Sequence, residues 1–430
     1  METDCSLVSL IKELYPICRS ITGEGVRETL RIIKARIPLE MREVPSGTKV
    51  LDWTVPLEWN VSEAYVMNRR GERVIDFQSH NLHLMSYSVP VRKKMTLEEL
   101  RPHLFSLPDH PEWIPYRTSY YRENWGFCIR HTDFERLPDD EYDVVIDSTL
   151  QIGSLTYGEC YLPGESCDEV LVSCHVCHPS LCNDNLSGIA VAVKLAETIG
   201  ARSRRYSYRF LFIPGTIGSI TWLAQNEQVV SRIQHGLVLT GVGDKGSVTY
   251  KKSRQGHAEI DRAMAHVLRH SEELHTIIDF FPYGYDERQY CSPGFNLPVG
   301  CFMRTPHGQY PEYHSSADDL SLIHSESLAR SYVHCLKVFE LLEGNRVYVN
   351  QNPRGEPQLG RRGLYRAVAG QQENQSRELA LLWVLNMSDG RHALLDIADR
   401  AGLPFGQIQS AAEALVEVGL LKEYRGLGTA

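Results

Sequence analysis

Features that mark membrane, secreted and nucleic-acid-binding proteins are scarce in this sequence of 430 residues. No apolar run approaches the roughly 18 residues that a membrane-spanning helix needs. The first residues, METDCSLVSLIKELYPICRS, carry acidic side chains and lack the basic segment and apolar core of a secretion signal. The net charge of −9 argues against general affinity for nucleic acid phosphates. The sequence therefore predicts a cytoplasmic protein without a membrane anchor.

The cysteines do not form a disulfide framework. There are 11 of them, an odd number, scattered along the chain, which favours reduced thiols in a cytoplasm. Internal repeats and low-complexity tracts are also missing from the sequence. The length exceeds the size at which one hydrophobic core keeps growing, so roughly two or three domains are expected.

The stretch 169–200 organises the rest of the chain. It opens with an apolar run that has the length and β-branched content of a buried strand, and residues 186–199, apolar on nearly every face, predict a buried helix. Open α/β sheets place their sites where a strand delivers polar groups at its carboxyl end. We therefore expect the chemistry to centre on His175, His178 and Asp184 of the intervening loop.

The remaining pattern predicts an α/β core interrupted by a smaller domain. Residues 1–45 are predicted to be helical, and the frequent Pro and Gly of residues 46–163 predict an inserted β-rich domain. Strands and helices alternate in residues 164–350, which predicts a mixed sheet flanked by helices that forms one core with residues 1–45. The predicted strands are 64–67, 143–146, 169–176, 208–214, 236–242, 247–252 and 297–303, and the predicted core helices are 186–200, 257–271 and 325–343.

The last part of the chain has a different composition. Residues 351–371 are polar and rich in Pro and Gly, which predicts a linker. Residues 372–430 contain three amphipathic helical patterns followed by GLLKEY, a spacing that resembles a winged helix-turn-helix domain. The third pattern, 404–418, offers Gln407 and Gln409 but no Lys or Arg for DNA, so the sequence disfavours DNA binding and predicts a packing or dimerisation module. Whether the chain forms a homo-oligomer stays open.

Histidine and aspartate are donors that suit Zn²⁺. A catalytic zinc needs about three protein ligands and an open position. His178 and Asp184 supply two, and His314, which follows a predicted strand further along the chain, supplies the third. His175 is either an alternative ligand or a neighbour that supports the ligands.

Three cysteines of the same stretch offer a rival set of ligands. Cys174, Cys177 and Cys182 have a spacing that suits a structural zinc or an iron–sulfur cluster. However, Cys174 falls inside the apolar strand, and no fourth cysteine follows at a usual spacing. Small buried side chains, or groups that line the site, explain them better.

A series of motifs runs along the chain in a fixed order. A strand leads to H-x-x-H-P-S, N-D-N-x-S-G and a buried helix, a later strand is followed by I-G-S, and Y-H-S-S-x-D comes last. This order resembles the zinc aminopeptidase fold, and more closely a bacterial aminopeptidase-like family whose core carries an inserted β-rich domain and ends in a winged helix. The closer resemblance rests on LYPICRSITGEGVRETL (14–30), PSGTKVLDWTVPLEWN (45–60), PYRTSYYRENWGFC (115–128), CHPSLCNDNLSG (177–188), DERQYCSPGFNLPVG (286–300) and GEPQLGRRGLY (355–365). It implies a metal at His178, Asp184 and His314.

The same resemblance shows what this chain lacks. Zinc aminopeptidases generally use a glutamate near the end of the next strand as general base, and the resemblance implies that Gly215 replaces it here. The strand that would supply a further acidic ligand ends in Leu239-Thr240-Gly241, without a carboxylate. Two metal ions would lack ligands, so one zinc per chain is expected.

A loop that the resemblance places near the metal is predicted to supply the missing groups. Asp286 or Glu287 is predicted to act as general base, and Tyr290 to donate to a developing oxyanion. Arg288 is predicted to hold a substrate carboxylate, and His175 to contact the substrate. The alternative is a solvated loop with an internal Asp–Arg pair.

Three functions remain open at this point. The first is a zinc-dependent aminopeptidase-like enzyme that acts on an amide or peptide-like bond of a small amino acid-derived metabolite. The second is a non-hydrolytic zinc enzyme, catalysing cyclisation or condensation in a specialised biosynthetic pathway. The third is a non-catalytic peptidase-like binding protein.

Overall fold

The computed structural model describes residues 2–364 and 371–424 of the chain. Two compact units are present, one formed by residues up to 258 with 274–333, the other by 259–273 with residues from 334 onwards. Residues 365–370 of the predicted linker, and 425–430 of the predicted C-terminal domain, lie outside the described residues. In the part that is described, no helix has the length and apolar character to cross a membrane.

The strands and helices are numbered in chain order. The strands are β1 (Glu40–Pro45), β2 (Lys49–Val50), β3 (Trp53–Thr54), β4 (Glu58–Met67), β5 (Arg73–Asp76), β6 (Val91–Thr96), β7 (Leu104–Phe105), β8 (Phe127–Cys128), β9 (Glu141–Gln151), β10 (Ser154–Leu162), β11 (Glu169–His175), β12 (Ser207–Ile213), β13 (Ile233–Leu239), β14 (Val248–Lys251), β15 (His275–Ile278), β16 (Val299–Met303), β17 (Val347–Asn350), β18 (Asp389–Ala393) and β19 (Leu421–Glu423). The α-helices are α1 (Glu2–Leu14), α2 (Glu24–Lys34), α3 (Leu97–Leu100), α4 (His131–Glu135), α5 (Ser187–Gly200), α6 (Ile217–Gln225), α7 (Glu227–Val230), α8 (Glu259–Arg269), α9 (Glu287–Tyr290), α10 (Ser325–Gly344), α11 (Gln371–Met387), α12 (Leu394–Ala401) and α13 (Phe405–Glu417).

A mixed sheet of eight strands forms the centre of the first unit. Its order is β1-β10-β12-β11-β13-β16-β14-β15, and β12, β11, β13 and β16 are mutually parallel neighbours. Every residue of β11 and β12 is buried, and α5 packs on β11, β12 and β13. Central parallel strands covered on both faces read as continuous apolar runs, which is why the sequence predicted them. The predicted mixed sheet flanked by helices is confirmed.

The prediction of helix throughout residues 1–45 is wrong at its C-terminal end. Residues 40–45 form β1, which pairs antiparallel with β10 at the edge of the large sheet. The reason is Pro38, because a proline disfavours helical backbone in the residue before it, and α2 ends at Lys34. Strand β10 belongs to the same sheet, although it lies within the predicted insert 46–163.

The inserted β-rich region has its own sheet, with the order β5-β4-β9-β6. The predicted strands 64–67 and 143–146 fall within β4 and β9, which pair along most of their length. A β-bridge between Pro115 and Ser315 joins the insert to the loop that carries His314. Backbone bonds reinforce this bridge, since Tyr116 N donates to His314 O over 2.8 Å.

In the second unit, α11, α12 and α13 accompany a three-stranded sheet of order β18-β17-β19. The buried face of α13 carries Phe405, Ile408, Ala412 and Leu415, so the amphipathic pattern read from the sequence faces a core. Three helices followed by a β-strand agree with the predicted winged helix-turn-helix arrangement.

Candidate metal centre and adjoining pocket

Loops after the parallel strands meet at one edge of the large sheet, as expected for an open α/β sheet. His175 is the last residue of β11, and the next loop carries His178 and Asp184. Gly215 follows β12, and the loop after β16 carries His314. The structure therefore brings together all four residues that the sequence predicted around the metal.

The centre of the cluster is the carboxylate of Asp184. His175 Nε2 lies 2.8 Å from Asp184 Oδ1, a hydrogen-bonding distance, and His314 Nε2 lies 3.1 Å from Asp184 Oδ2. Although they are close, Asp184 Oδ2 and His314 Nε2 are buried atoms without a hydrogen-bond partner of acceptable geometry among the described residues. His175, His178 and Asp184 also offer ligand atoms within 4.8 Å of one another. The cluster therefore places several candidate ligand atoms close together.

Electrostatics favour the ligand forms of two of these side chains. Burial lowers the pKa of His178 well below its ordinary value, so the imidazole is neutral at pH 7. Burial alone would raise the pKa of Asp184, but the adjacent rings of His178, His175 and His314 outweigh it and hold the pKa well below its ordinary value. A neutral imidazole and an ionised carboxylate are the forms that bind a metal cation.

The Asp184 loop is fixed by a second buried carboxylate. Asp318 Oδ1 accepts from Asn183 N over 2.6 Å, and Asp318 Oδ2 accepts from Asp184 N over 3.0 Å. Asn183 Nδ2 donates in turn to Asp244 Oδ2 over 2.9 Å. Because these groups are buried, the loop cannot exchange the bonds for water without cost, and Asp184 is held in one position.

The backbone of His178 is held by a buried arginine. Arg19 is 1% exposed, and its Nε donates to His178 O over 2.9 Å while Nη1 donates to Leu14 O over 2.6 Å. Burial lowers the pKa of Arg19 to about 10, so the guanidinium remains charged at pH 7. The N-terminal segment therefore supports the candidate ligand loop directly.

Aromatic rings surround the histidines of the cluster. Tyr116 lies edge-on to both His178 and His314, with ring centroids 5.1 Å apart in each case. Tyr313 stacks on His314 with centroids 4.0 Å apart, and Tyr285 stacks on His175 at 3.7 Å. Rings packed on imidazoles restrict their rotation, so the nitrogen atoms keep their directions.

The predicted loop lies beside this cluster, but its four polar residues differ in their partners. Asp286 is fully buried, and its Oδ1 accepts from Thr216 N and from Ser219 Oγ over 2.7 Å each. Its Oδ2 is buried without a partner among the described residues, and burial raises the pKa of Asp286 to about 6. Asp286 thus combines one oxygen that holds the turn after β12 with one that is free to take a proton.

Glu287 and Tyr290 have structural partners instead. Glu287 forms a fully buried ion pair with Lys251, and both of its carboxylate oxygens accept from Tyr285 N. The hydroxyl of Tyr290 is hydrogen-bonded to Ser173 Oγ over 2.9 Å, and the side chain is fully buried. These contacts do not favour the predicted roles of Glu287 as general base and of Tyr290 as oxyanion donor.

Gly215 has a neighbour that the sequence did not indicate. A Cβ atom at this position would lie 2.3 Å from the hydroxyl of Tyr285 and 2.6 Å from its Cε1. The ring of Tyr285 therefore fills the space that any side chain at position 215 would need. The hydroxyl also lies 3.8 Å from Cys177 Sγ, and burial raises the pKa of Tyr285 well above its ordinary value, so the phenol is neutral.

A pocket of about 280 Å³ opens next to these residues. It is lined by Ile21, Trp53, Tyr120, Tyr121, Cys177, His178, Gly215, Thr216, Ile217, Gly284, Tyr285 and Arg288. Predicted residues His178 and Arg288 line it, whereas His175 is 1% exposed and lies under Tyr285. The pocket thus borders His178, one of the candidate metal ligands, whereas His175 contacts Asp184 and is not among the lining residues.

Sequence reasoning did not identify Tyr285, His307 or Asp318 as site residues. His307 lies near Tyr285, with ring centroids 5.7 Å apart, and its Nε2 is buried without a partner among the described residues. Two of them have a local signal in the sequence, since Tyr285 adjoins the predicted loop and Asp318 lies in the Y-H-S-S-x-D motif. His307 carries no such signal, since it is one of 17 histidines.

The sheet, the edge cluster and the C-terminal unit define a protein with the zinc aminopeptidase fold and an added winged helix. Residues 8–345 match the family DUF4910, described as a domain of unknown function, and residues 346–423 match a winged helix-turn-helix family. The chain therefore belongs to the DUF4910 family. The predicted resemblance to an aminopeptidase-like family and the predicted winged helix are confirmed.

A relative from Clostridium acetobutylicum is 54% identical over 421 residues, covering 98% of this chain and 97% of the relative. That protein is provisionally named a polysaccharide biosynthesis protein with an aminopeptidase-like domain. A crystal structure from Clostridium acetobutylicum, provisionally described as a peptidase, has a TM-score of 0.94 at 53% identity and covers 98% of this chain and 97% of its own. Both similarities extend over essentially the whole chain.

More distant structures share the fold. BSAP, a zinc aminopeptidase from Bacillus subtilis, has a TM-score of 0.57 at 12% identity, covering 79% of this chain and 94% of its own. The aminopeptidase from Aneurinibacillus sp. strain AM-1 has a TM-score of 0.51 at 13% identity, covering 78% and 93%. At such identities the likeness concerns the fold alone, because one fold can carry sites of different chemistry.

Proposed function

We propose that this protein hydrolyses an amide or peptide-like bond of a small amino acid-derived metabolite with the help of one bound zinc ion. The pair formed by Asp184 Oδ2 and His314 Nε2 carries this proposal. These buried atoms lie 3.1 Å apart and have no hydrogen-bond partner among the described residues. Two ligand atoms at 2.0–2.1 Å from a tetrahedral zinc lie roughly 3.3 Å apart. The spacing of the orphaned pair therefore suits a shared metal ion.

His178 completes the proposed ligand set. Its imidazole is neutral, it borders the pocket, and its ring centroid lies 5.3 Å from that of His314. Zinc at such a site polarises a carbonyl group and acidifies a water molecule. His175 is hydrogen-bonded to Asp184 Oδ1, which would hold the carboxylate in place and leave Oδ2 available to a metal ion.

Asp286 is the proposed proton acceptor. In hydrolysis the amide C–N bond breaks, the oxygen of water bonds to the carbonyl carbon, and a proton passes from water to the leaving nitrogen. A carboxylate with a pKa of about 6 is suited to carry that proton near neutral pH. The nearby His175 opposes the rise in the pKa of Asp286, which puts this carboxylate within electrostatic reach of the cluster.

The setting of the reaction is suggested by the relative from Clostridium acetobutylicum, whose name assigns it to polysaccharide biosynthesis. In such a setting the proposed substrate is an amide-bearing building block and not proteins in general. The narrow pocket of about 280 Å³ supports a small substrate, because ligand pockets typically range from about 300 to 1,000 Å³.

Metal content and turnover test this function together. The purified chain should contain about one zinc, and His178→Ala, Asp184→Ala and His314→Ala should each lose it. His131→Ala, a histidine of α4 in the insert, is the matched control and should keep the metal. Amine release from small amides should stop on chelation and return with zinc. A native chain that binds no zinc when zinc is supplied would refute the proposal.

A non-catalytic binding role is the second candidate. One observation favours it: among the described residues that line the pocket, none carries a carboxylate that could act as base. This role predicts a zinc-loaded protein that binds small ligands without turnover, and whose function survives Asp286→Asn. Turnover that falls by two to four orders of magnitude in Asp286→Asn, with zinc retained, would exclude it.

A further inference from the structure

Arg288 is a charged group for which the described residues supply no partner. Its side chain lines the pocket beside His178, and in the described part of the chain it forms neither a hydrogen bond nor an ion pair. Its Nε atom is buried and has no hydrogen-bond partner in the part of the chain that the structure describes. A buried guanidinium N–H without an acceptor is unfavourable, so an acceptor supplied by a ligand would stabilise it.

The two carboxylates closest in sequence do not compensate this charge. Asp286 Oδ1 accepts hydrogen bonds from Thr216 N and Ser219 Oγ, and Glu287 forms an ion pair with Lys251. The internal Asp–Arg pair, which the sequence allowed as an alternative, is therefore not formed. The positive charge of Arg288 remains available to whatever enters the pocket.

The other walls of the pocket are neutral. Trp53, Tyr120, Tyr121 and Tyr285 contribute aromatic rings, and no described residue of the lining is acidic. Trp53 and Tyr121 are partly exposed and pack edge to face with centroids 5.4 Å apart. Within the lining, a ligand with a free ammonium group would meet a guanidinium and find no carboxylate to pair with.

We propose that this pocket selects amides whose acyl part carries a carboxylate and disfavours amides that present a free α-ammonium group. This inference rests on the proposed function for its reaction, but the recognition itself depends only on Arg288 and the neutral walls. The planar guanidinium matches a carboxylate with two parallel hydrogen bonds, which a lysine would not reproduce. Such a preference separates this chain from enzymes that require a free amino terminus.

The test compares three p-nitroanilides that share one leaving group: succinyl, butyryl and alanyl. The zinc-loaded full chain should prefer the succinyl compound in kcat/KM and use the alanyl compound least. Arg288→Gln should lower kcat/KM for the succinyl compound about 10- to 100-fold, the effect of losing hydrogen bonds to a charged group. The same variant should change the butyryl compound by less than about threefold, a range typical of a variant that removes no contact.

Arg122→Gln is the matched control, because Arg122 is an exposed arginine of the insert that does not line the pocket. It should leave all three substrates unchanged. Arg288→Glu should reverse the order of the succinyl and alanyl compounds. If the native chain prefers the alanyl compound, or if Arg288→Gln leaves the succinyl preference intact, the inference is overturned while the proposed hydrolysis stands.

Calorimetry separates this inference from the proposed function. The three anilides are titrated into the full chain with zinc and after chelation. Tighter binding of the succinyl compound that is lost in Arg288→Gln supports the pocket assignment, even if no compound is hydrolysed. Equal binding of all three compounds to the native chain and to Arg288→Gln overturns the assignment, whatever the activity.

Discussion

The buried ion pair between Lys251 and Glu287 should make a large contribution to the stability of the loop beside the site. Their side chains are 3% and 0% exposed, and Lys251 Nζ also donates to Phe281 O over 3.2 Å and to Tyr283 O over 2.9 Å. Lys251→Met removes all these bonds and leaves the carboxylate of Glu287 buried without a cation. Breaking a buried pair in this way typically costs about 3–5 kcal/mol.

The neighbouring residue provides the control. Lys252 pairs with Asp279 over 2.9 Å, but Asp279 is 88% exposed, so Lys252→Met should cost at most about 1 kcal/mol. The double variant Lys251→Met with Glu287→Leu should recover part of the loss, because it removes the unpaired charge together with its former partner.

Urea unfolding of the first unit measures these differences as shifts in the free energy of unfolding. The native chain and Lys252→Met should have the highest free energy of unfolding, the double variant a lower one, and Lys251→Met the lowest. Limited proteolysis should cut Lys251→Met in residues 279–285 faster than it cuts Lys252→Met. If the two single variants unfold within about 1 kcal/mol of each other, Glu287 is not a buried unpaired charge and the reasoning fails.

Two further predictions concern the turn after β12. Gly215→Ala should destabilise the first unit by about 1–3 kcal/mol, because the added Cβ displaces Tyr285. Combining it with Tyr285→Ala should remove that penalty. Additive losses of unfolding free energy in this double-mutant cycle would contradict the prediction. For Asp286 the folded pKa of about 6 lies above the unfolded value of about 3.9, so the folded state binds the proton more tightly. The stabilisation that protonated Asp286 contributes is therefore full below about pH 4 and is lost as the pH rises through 6. Asp286→Asn should make the unfolding free energy less dependent on pH in this range. An unchanged slope in Asp286→Asn would contradict the assignment.

The parts of the fold that sequence predicted are those with a strong local signal. Strand β11 is buried along its whole length and helix α5 along most of it, so both carry mainly apolar residues, and their bounds agree with the prediction within about two residues. Strand β1 has only one buried residue in six, and it depends on pairing with β10 more than 100 positions away. Such an edge strand has no periodicity of its own, so the sequence could not separate it from the preceding helices.

The same distinction holds at the site. His178, Asp184 and His314 could be predicted because zinc ligands have characteristic residue types and follow strand ends. The partner of Glu287 could not be predicted, because Glu287 lies in α9 and Lys251 in β14, and nothing in the local sequence shows that the two meet. The sequence also could not show that the ring of Tyr285 fills the space beside Gly215, because that depends on how the ring packs in the folded chain.

The residues at this sheet edge show why the zinc aminopeptidase fold alone does not establish peptidase activity for this chain. The proposed ligands suit a single metal ion, but the turn after β12 presents a glycine whose side-chain space holds a neutral phenol. If Tyr285 remains there during the reaction, the group nearest that turn can donate a hydrogen bond and cannot accept a proton at neutral pH. In the proposed hydrolysis the proton then passes to a carboxylate, and Asp286 is the proposed acceptor because its Oδ2 is buried without a partner among the described residues. Activity lost in Asp286→Asn and retained in Tyr285→Phe would agree with this division of roles, whereas the opposite pattern would make the phenol the reactive group.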